Sequence, residues 1–422
     1  MFNKIFKSSL FKASGIYTLT SVLNSAIPFL LLPILTRYLT PEDYGILSMF
    51  GLLVSIVGVF TGVNINGAIQ REYFNKEQVN FKEYVGNCII ILIVTTIFSA
   101  ILMFTFHIVI EKSSGVPFHL FWIVILVSFY QFVILSLTVI YQSQMKVLKY
   151  SIFQIGLTVI NVFLSIVFVV VFKWGYSGRI YAQLFAYLLL GNLALIILLK
   201  KYSEIRINFI YIKKALSFGL PLVPHALGSM LITLAGRLII NTNLGLEQVG
   251  IYTVGIQIGS IINILTDSFN KAYVPWLFDK LNKNDYSIKI KIVKFTYIYF
   301  LVIILFSSLF GLFSPAILYY LVGKDFQKAS TIIIWIALGY AFNGMYYMVT
   351  NYIFYVYRTQ YLAVITFIAG LINIFLTIVL VKTYGILGAS ISFMVANILK
   401  YMLTFILAKN MYKMPWGLKN VF

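Results

Sequence analysis

Twelve stretches of this chain are apolar enough to cross the hydrocarbon core of a bilayer, which takes about 20 residues for a thickness of roughly 30 Å. They lie near residues 14–36, 45–69, 85–110, 118–141, 151–172, 179–199, 216–240, 248–270, 294–313, 329–355, 361–381 and 388–408. Backbone groups entering lipid must find their hydrogen bonds within their own segment, so each stretch is expected to be an α-helix. The expected fold is therefore an all-α polytopic membrane protein with short connections. Composition agrees: 61% of the residues are hydrophobic and 10% charged, against about half and a quarter in soluble domains. A water-soluble enzyme is excluded. The lone cysteine, Cys88, sits in an apolar run, which leaves no disulfide framework or cysteine metal cluster, and no cofactor is expected.

The chain carries 32 Lys and Arg against 12 Asp and Glu, a formal charge of +20. On a soluble protein that excess would point to nucleic acid; here it reports orientation, because membrane proteins keep Lys and Arg on the cytoplasmic side. With the N-terminus inside, 23 of the 32 fall on inner segments and 7 on outer ones, while Arg237 and Lys400 fall within spans. Both termini are expected in the cytoplasm, with no nucleic-acid partner.

The sequence repeats itself. Leu39, Glu42, Gly45 and Ile46 match Leu244, Glu247, Gly250 and Ile251 at an offset of 205. Farther on, NVFLSIVF from Asn161 matches NIFLTIVL from Asn373 at an offset of 212, where Lys146 also falls on Arg358. Gly175 and Gly178 then pair with Gly385 and Gly388 at an offset of 210. Each repeat holds six expected helices, so both copies enter from the same side and are parallel rather than inverted. The expectation is two pseudo-symmetric six-helix lobes around a central cavity, residues 1–205 and 206–422, joined by the basic segment 200–214.

PILTRYLTPEDYGILSM (33–49), SFGLPLVPHALGSMLI (217–232) and YGILGAS (384–390) resemble the Wzx-type polysaccharide flippases of the multidrug/oligosaccharidyl-lipid/polysaccharide exporter superfamily. The resemblance runs along the whole chain, on loose motifs. It implies transport of an undecaprenyl-pyrophosphate-linked oligosaccharide repeat unit across the bacterial inner membrane for O-antigen or capsule assembly. It also implies membrane lipids as surroundings, and the polymerase and chain-length regulator of the same pathway as partners. Within the strongest motif, Thr40-Pro41-Glu42-Asp43 has a structural reading: Thr40 caps a helix, Pro41 suits its first position, and two acids favour the positive end of its dipole.

Such a cargo joins a polar, anionic head to an apolar tail, so costly polar groups within spans are its candidate contacts. Tyr17, Ser21, Asn24 and Pro28 form one stripe on the first span, suited to transport or to close helix packing. Asn64, Asn66, Gln70 and Arg71 gather at the inner mouth of the second. The seventh carries Pro221 and Pro224, which should break or bend it, with His225 beside them. His225 is a candidate for ion coupling or an interhelical hydrogen-bond partner. Arg237, toward the outer end, either binds pyrophosphate or snorkels to the headgroups. On the eighth span Ser260, Asn263, Asp267 and Asn270 or Lys271 share a face, with Asp267 a second coupling candidate or else an ion-pair partner of Lys271. Asn161 and Asn373 read as packing residues, and His107 and Lys400 as interface anchors.

No GxxxxGK[ST] phosphate loop is present, so no ATPase is expected. A drug or cation exporter of the same superfamily is a related reading, disfavoured because the first lobe has no mid-span carboxylate. A lipid II flippase is a third relative, disfavoured because such proteins usually have fourteen helices. A membrane-embedded oligosaccharide polymerase is the reading from another class, and it lacks sizeable loops for catalytic residues.

Overall fold

In the computed structural model, residues 20, 23, 24 and 29–417 are described, apart from 76, 78, 284, 357 and 359; side chains at 225, 228, 229, 231–233 and 360 are also outside the description. Among the described residues every regular element is helical. The helices are α1 (Phe29–Tyr38), α2 (Pro41–Phe60), α3 (Ile65–Tyr73), α4 (Phe81–Thr105), α5 (His107–Ser114), α6 (Phe121–Ser143), α7 (Val147–Ser165), α8 (Gly175–Ile197) and α9 (Phe209–Gly219). They continue as α10 (Leu222–Thr233), α11 (Ala235–Leu244), α12 (Leu246–Asn282), α13 (Tyr286–Leu312), α14 (Ser314–Leu321), α15 (Ser330–Tyr355), α16 (Gln360–Tyr384) and α17 (Ile386–Met411). The chain forms two compact units, Met1–Leu227 and Gly228–Phe422.

Ten described helices are long and apolar enough to span a membrane, where twelve spans were expected. Most of the expected first span lies outside the described residues, and the expected seventh is broken twice, across the end of α9, α10 and α11. Pro221 sits in the turn between α9 and α10, as its missing N–H dictates. A second break at Leu234 separates α10 from α11 and has no proline to announce it. The expected second span is also interrupted. After α2, Gly62, Val63 and Asn64 all take left-handed backbone angles (φ 82°, 44° and 54°), so Asn66, Gln70 and Arg71 sit on the separate helix α3, with Asn64 just before it. A β-branched residue in that region is uncommon and strained. Conversely, α12 runs unbroken for 37 residues through Pro275, about 55 Å, well beyond one hydrocarbon thickness.

The TPED motif behaves as its chemistry predicts. The Thr40 hydroxyl accepts from the Asp43 N–H and the Asp43 carboxylate accepts from the Thr40 N–H, both at 3.1 Å, a complete capping box at the start of α2. In the second repeat Gly245 takes that place, with φ 85° and no side-chain bond.

The repeat extends to helix ends. α6 stops at Ser143 and α15 at Tyr355, an offset of 212, and each is closed by an N–H to the carbonyl five residues back, Lys146 to Tyr141 and Arg358 to Ile353. Four residues after each matched asparagine a hydroxyl returns to the asparagine carbonyl, Ser165 to Asn161 and Thr377 to Asn373. A Cβ on Gly178 would meet the Phe168 carbonyl, and one on Gly388 the Leu380 carbonyl. Both glycines are thus set by the same close turn between consecutive spans.

Unit 1 packs around Tyr84, Leu92, Leu137 and Ile140, and unit 2 around Ile262, Leu277, Ile336 and Tyr352. The basic segment between the repeats is sewn onto unit 1. Glu204 N–H donates to the Lys82 carbonyl (3.0 Å), Asn87 donates to the Arg206 carbonyl (2.8 Å) and accepts from the Asn208 N–H (2.9 Å), and the Asn208 amide donates to Glu83 (2.9 Å). Lys214 on α9 then pairs with Glu72 on α3 at 2.7 Å.

Candidate transport pathway

The polar groups of unit 1 converge on α7. Ser151, Gln154, Thr158, Asn161 and Ser165 recur at three and four residues and so share one face. The Ser151 and Thr20 hydroxyls are 2.7 Å apart. Asn24 donates to the Gln154 side chain (3.4 Å) and accepts from the Thr158 hydroxyl (2.8 Å). Asn24 is therefore clasped between helices; Tyr17, Ser21 and Pro28 lie outside the described residues. At the other end of the stripe Arg179 donates to the Asn161 Oδ1 at 2.6 Å. Asn161, expected to serve packing, is the acceptor for a guanidinium that enters the membrane domain on α8. The stripe was present in the sequence at helical spacing, although only Asn161 is singled out by the repeat. Removing this charge-assisted bond in Asn161→Ala is expected to cost about 1.5–3 kcal/mol in thermal unfolding, measured against Asn161→Asp as the acceptor-retaining control.

Arg71 on α3 lies with its guanidinium 5.6 Å from the centroid of the Phe218 ring of α9, and Phe218 also covers Gly67. Stacking of this sort uses the guanidinium face, and the exposed side chain retains its N–H edge for an anion. Asn66, one turn earlier, has a buried Oδ1 with no hydrogen-bond partner. Arg71 thus offers a donor edge near the C-terminal end of α3, and Asn66 an unused, buried acceptor near its N-terminal end.

Unit 2 holds a second ladder, between α12 and α15. The Asn343 amide donates to the Asn263 Oδ1 at 3.0 Å, and the Asn351 amide to the Asn270 Oδ1 at 2.9 Å. Asp267, between these rungs, forms an ion pair with Lys271, just past the second, at 2.6 Å. Arg237 on α11 is half-buried, in the neighbourhood of Tyr252 on α12 and Tyr340 on α15. The backbone of His225 lies near the start of α10, and its side chain is outside the described residues.

Lys400 corrects an expectation. It does not reach outward as an interface anchor would: it is 8% exposed, eleven residues or about 17 Å from the end of α17, and turned toward a neighbouring helix. Its Nζ donates to the Asn343 Oδ1 at 2.6 Å, the residue that also binds Asn263. Hydropathy flags only that a lysine falls in a span; its partner comes from another helix, α15. Among the described residues no group of three or more metal-ligating side chains occurs.

Long apolar helices carrying internal polar ladders define a multi-pass membrane protein. The polysaccharide biosynthesis protein family matches residues 10–280, and the chain belongs to that family. An uncharacterized membrane protein of Haemophilus influenzae is 28% identical over 397 residues, covering 90% of this chain and 94% of the relative. The fold is shared with the lipid II flippase MurJ in an inward closed conformation, at a TM-score of 0.74 and 17% identity over 93% of this chain and 87% of that one. It is shared too with an inward-facing multidrug resistance MATE family transporter of the MOP superfamily, at 0.67 and 16% identity over 92% and 94%.

Proposed function

We propose that this protein flips undecaprenyl-pyrophosphate-linked oligosaccharide repeat units from the cytoplasmic to the periplasmic leaflet of a bacterial inner membrane, by alternating access coupled to an ion gradient. The repeat unit would serve O-antigen or capsule assembly, with the pathway's polymerase and chain-length regulator as partners and both termini in the cytoplasm. The protein acts as a transporter and carries out no catalysis of its own. Membership of a polysaccharide biosynthesis family supports this reading, as does the fold shared with a lipid II flippase.

The observation that carries it is the sign of the charge within the spanning helices. Arg179, Arg237 and Lys400 stand there against one interior carboxylate, Asp267, which already faces Lys271. A positive interior suits an anionic pyrophosphate head, and the amide and hydroxyl ladders suit a sugar. Asn66 and Arg71 would meet the head at the inner mouth; Asn24, Asn263, Lys271 and Arg237 would line its path. His225 and Asp267 are the candidates for ion coupling. A cation-coupled drug exporter calls for a carboxylate inside unit 1, where the buried acid is Glu72 at the inner end, held by Lys214.

Arg71→Ala and Arg237→Ala are each expected to lower surface glycan severalfold, up to about a hundredfold if a full charge-assisted contact of about 1.5–3 kcal/mol is lost, with protein levels in the membrane unchanged. Normal surface glycan in both variants would remove the basic pathway from the proposal.

A further inference from the structure

Three lysines on or beside the spanning helices keep different company. Lys214 lies 2.7 Å from Glu72, and Lys271 lies 2.6 Å from Asp267. Taking a proton from either would leave a carboxylate without its counter-ion. Lys400 has no such constraint. Its Nζ reaches the Asn343 Oδ1 at 2.6 Å and lies 4.7 Å from the centroid of the Tyr346 ring, and neither group is an anion. Among the described residues no carboxylate comes within 4 Å of it.

The helices packed against α17 bring few titratable or charged groups to this region. α15 contributes Tyr346 and Tyr347, α13 Tyr299, α12 Asp267 and α11 Arg237, while Tyr401 belongs to α17 itself. α16 has none between Tyr361 and Lys382. Asp267 is the sole anion of the set, and it is already engaged by Lys271.

The surroundings can house both forms of the side chain. An ammonium has the Asn343 oxygen and the negative face of the Tyr346 ring. A neutral amine keeps an N–H for Asn343 and gives up the ring attraction, which requires positive charge. Asn343 and Tyr346 both lie on α15, so the contact between α15 and α17 depends on the proton. Through its own amide, 3.0 Å from the Asn263 Oδ1, Asn343 extends that dependence to α12 and the candidate pathway.

We infer that Lys400 is a proton-binding site in unit 2, and that its exchange of a proton with water switches the α15–α17 contact between a tighter and a looser state. The use of that switch to drive transport rests on the flippase reading above; the proton binding does not.

Two measurements separate the claims. For the full-length protein in nanodiscs, thermal unfolding is followed from pH 6 to pH 10 in wild type, Lys400→Met and Lys400→Gln, the last keeping a hydrogen-bond donor for Asn343. Wild type is expected to show a pH-dependent step in unfolding temperature that is absent from both variants. The same step persisting in either folded variant overturns the site. In proteoliposomes, translocation of a fluorescent undecaprenyl-pyrophosphate disaccharide is then timed with and without an imposed pH gradient. Wild type should respond by up to about tenfold for a one-unit gradient, the limit for one coupled proton, and Lys400→Gln should not respond. A full response in Lys400→Gln overturns the coupling role and leaves the flippase reading intact. If wild type does not move the probe, the flippase reading fails, and the unfolding series still decides whether Lys400 binds a proton.

Discussion

Lys214→Met is expected to lower the stability of unit 1 by about 3 kcal/mol, the lower end of the range for breaking a buried ion pair. The asymmetry of the pair sets the size. Glu72 is 3% exposed and Lys214 44%, so the lysine can be replaced with little loss of its own packing while the carboxylate stays behind in the protein. Nothing apolar around α3 can compensate that charge. The double variant Glu72→Leu with Lys214→Met removes both charges and is expected to recover most of the loss. Thermal unfolding of the purified protein, with hydrogen exchange over 209–219, reports both effects. A single variant no less stable than the double would show that the pair carries no such energy.

Gly86→Ala should detach the segment that follows α8. A Cβ at this position would lie against the Glu204 carbonyl, a contact backbone cannot yield without moving. Overpacking of that sort costs about 1–3 kcal/mol. The displaced segment also carries the bonds of Lys82, Glu83 and Asn87 to residues 204–208. Trypsin cleavage at Lys200, Lys201 and Arg206 should accelerate about tenfold for each 1.4 kcal/mol lost, since cutting follows the open population. Gly51→Ala is the control: nothing lies within 4 Å of its Cβ, and alanine favours the helix. Equal protection of both variants would exclude the close approach at Gly86.

The class of fold was legible because it rests on local quantities. Apolar content over about 20 residues marks a span, and a capping box is written in four consecutive residues, Thr40 to Asp43. Repeated glycines marked a repeated turn because Gly175 and Gly385 take left-handed backbone angles and a backbone carbonyl excludes a side chain at Gly178 and Gly388. Hydropathy was silent on helix breaks. Thr61 to Asn64 and Leu234 are no less compatible with a span than their neighbours, and the turns become visible only through the backbone angles they adopt. The site was legible to the same degree. Asn24, Asn263 and Asp267 were marked as polar groups in lipid, but their partners on α7 and α15 are more than a hundred or some eighty residues away, except for Lys271, one turn on. Lys400 was set aside because a lysine near a predicted boundary usually snorkels. Its burial depends on where α15 runs, which no window along α17 contains.

The bonds between α4 and residues 204–208, followed by the Glu72–Lys214 pair, also bear on synthesis. The first half of the chain presents Lys82, Glu83 and Asn87 to the translocation machinery long before the residues that bind them are made. Domains emerge and fold from the N-terminus as they are translated. Unit 1 therefore cannot close until the ribosome has passed Gly219, and a gene split at residue 205 should yield a first fragment prone to degradation. A split in the turn at residues 220–221, between α9 and α10, leaves this fastening with the first half and cuts no helix, and is the better point at which to produce the two halves from separate messages.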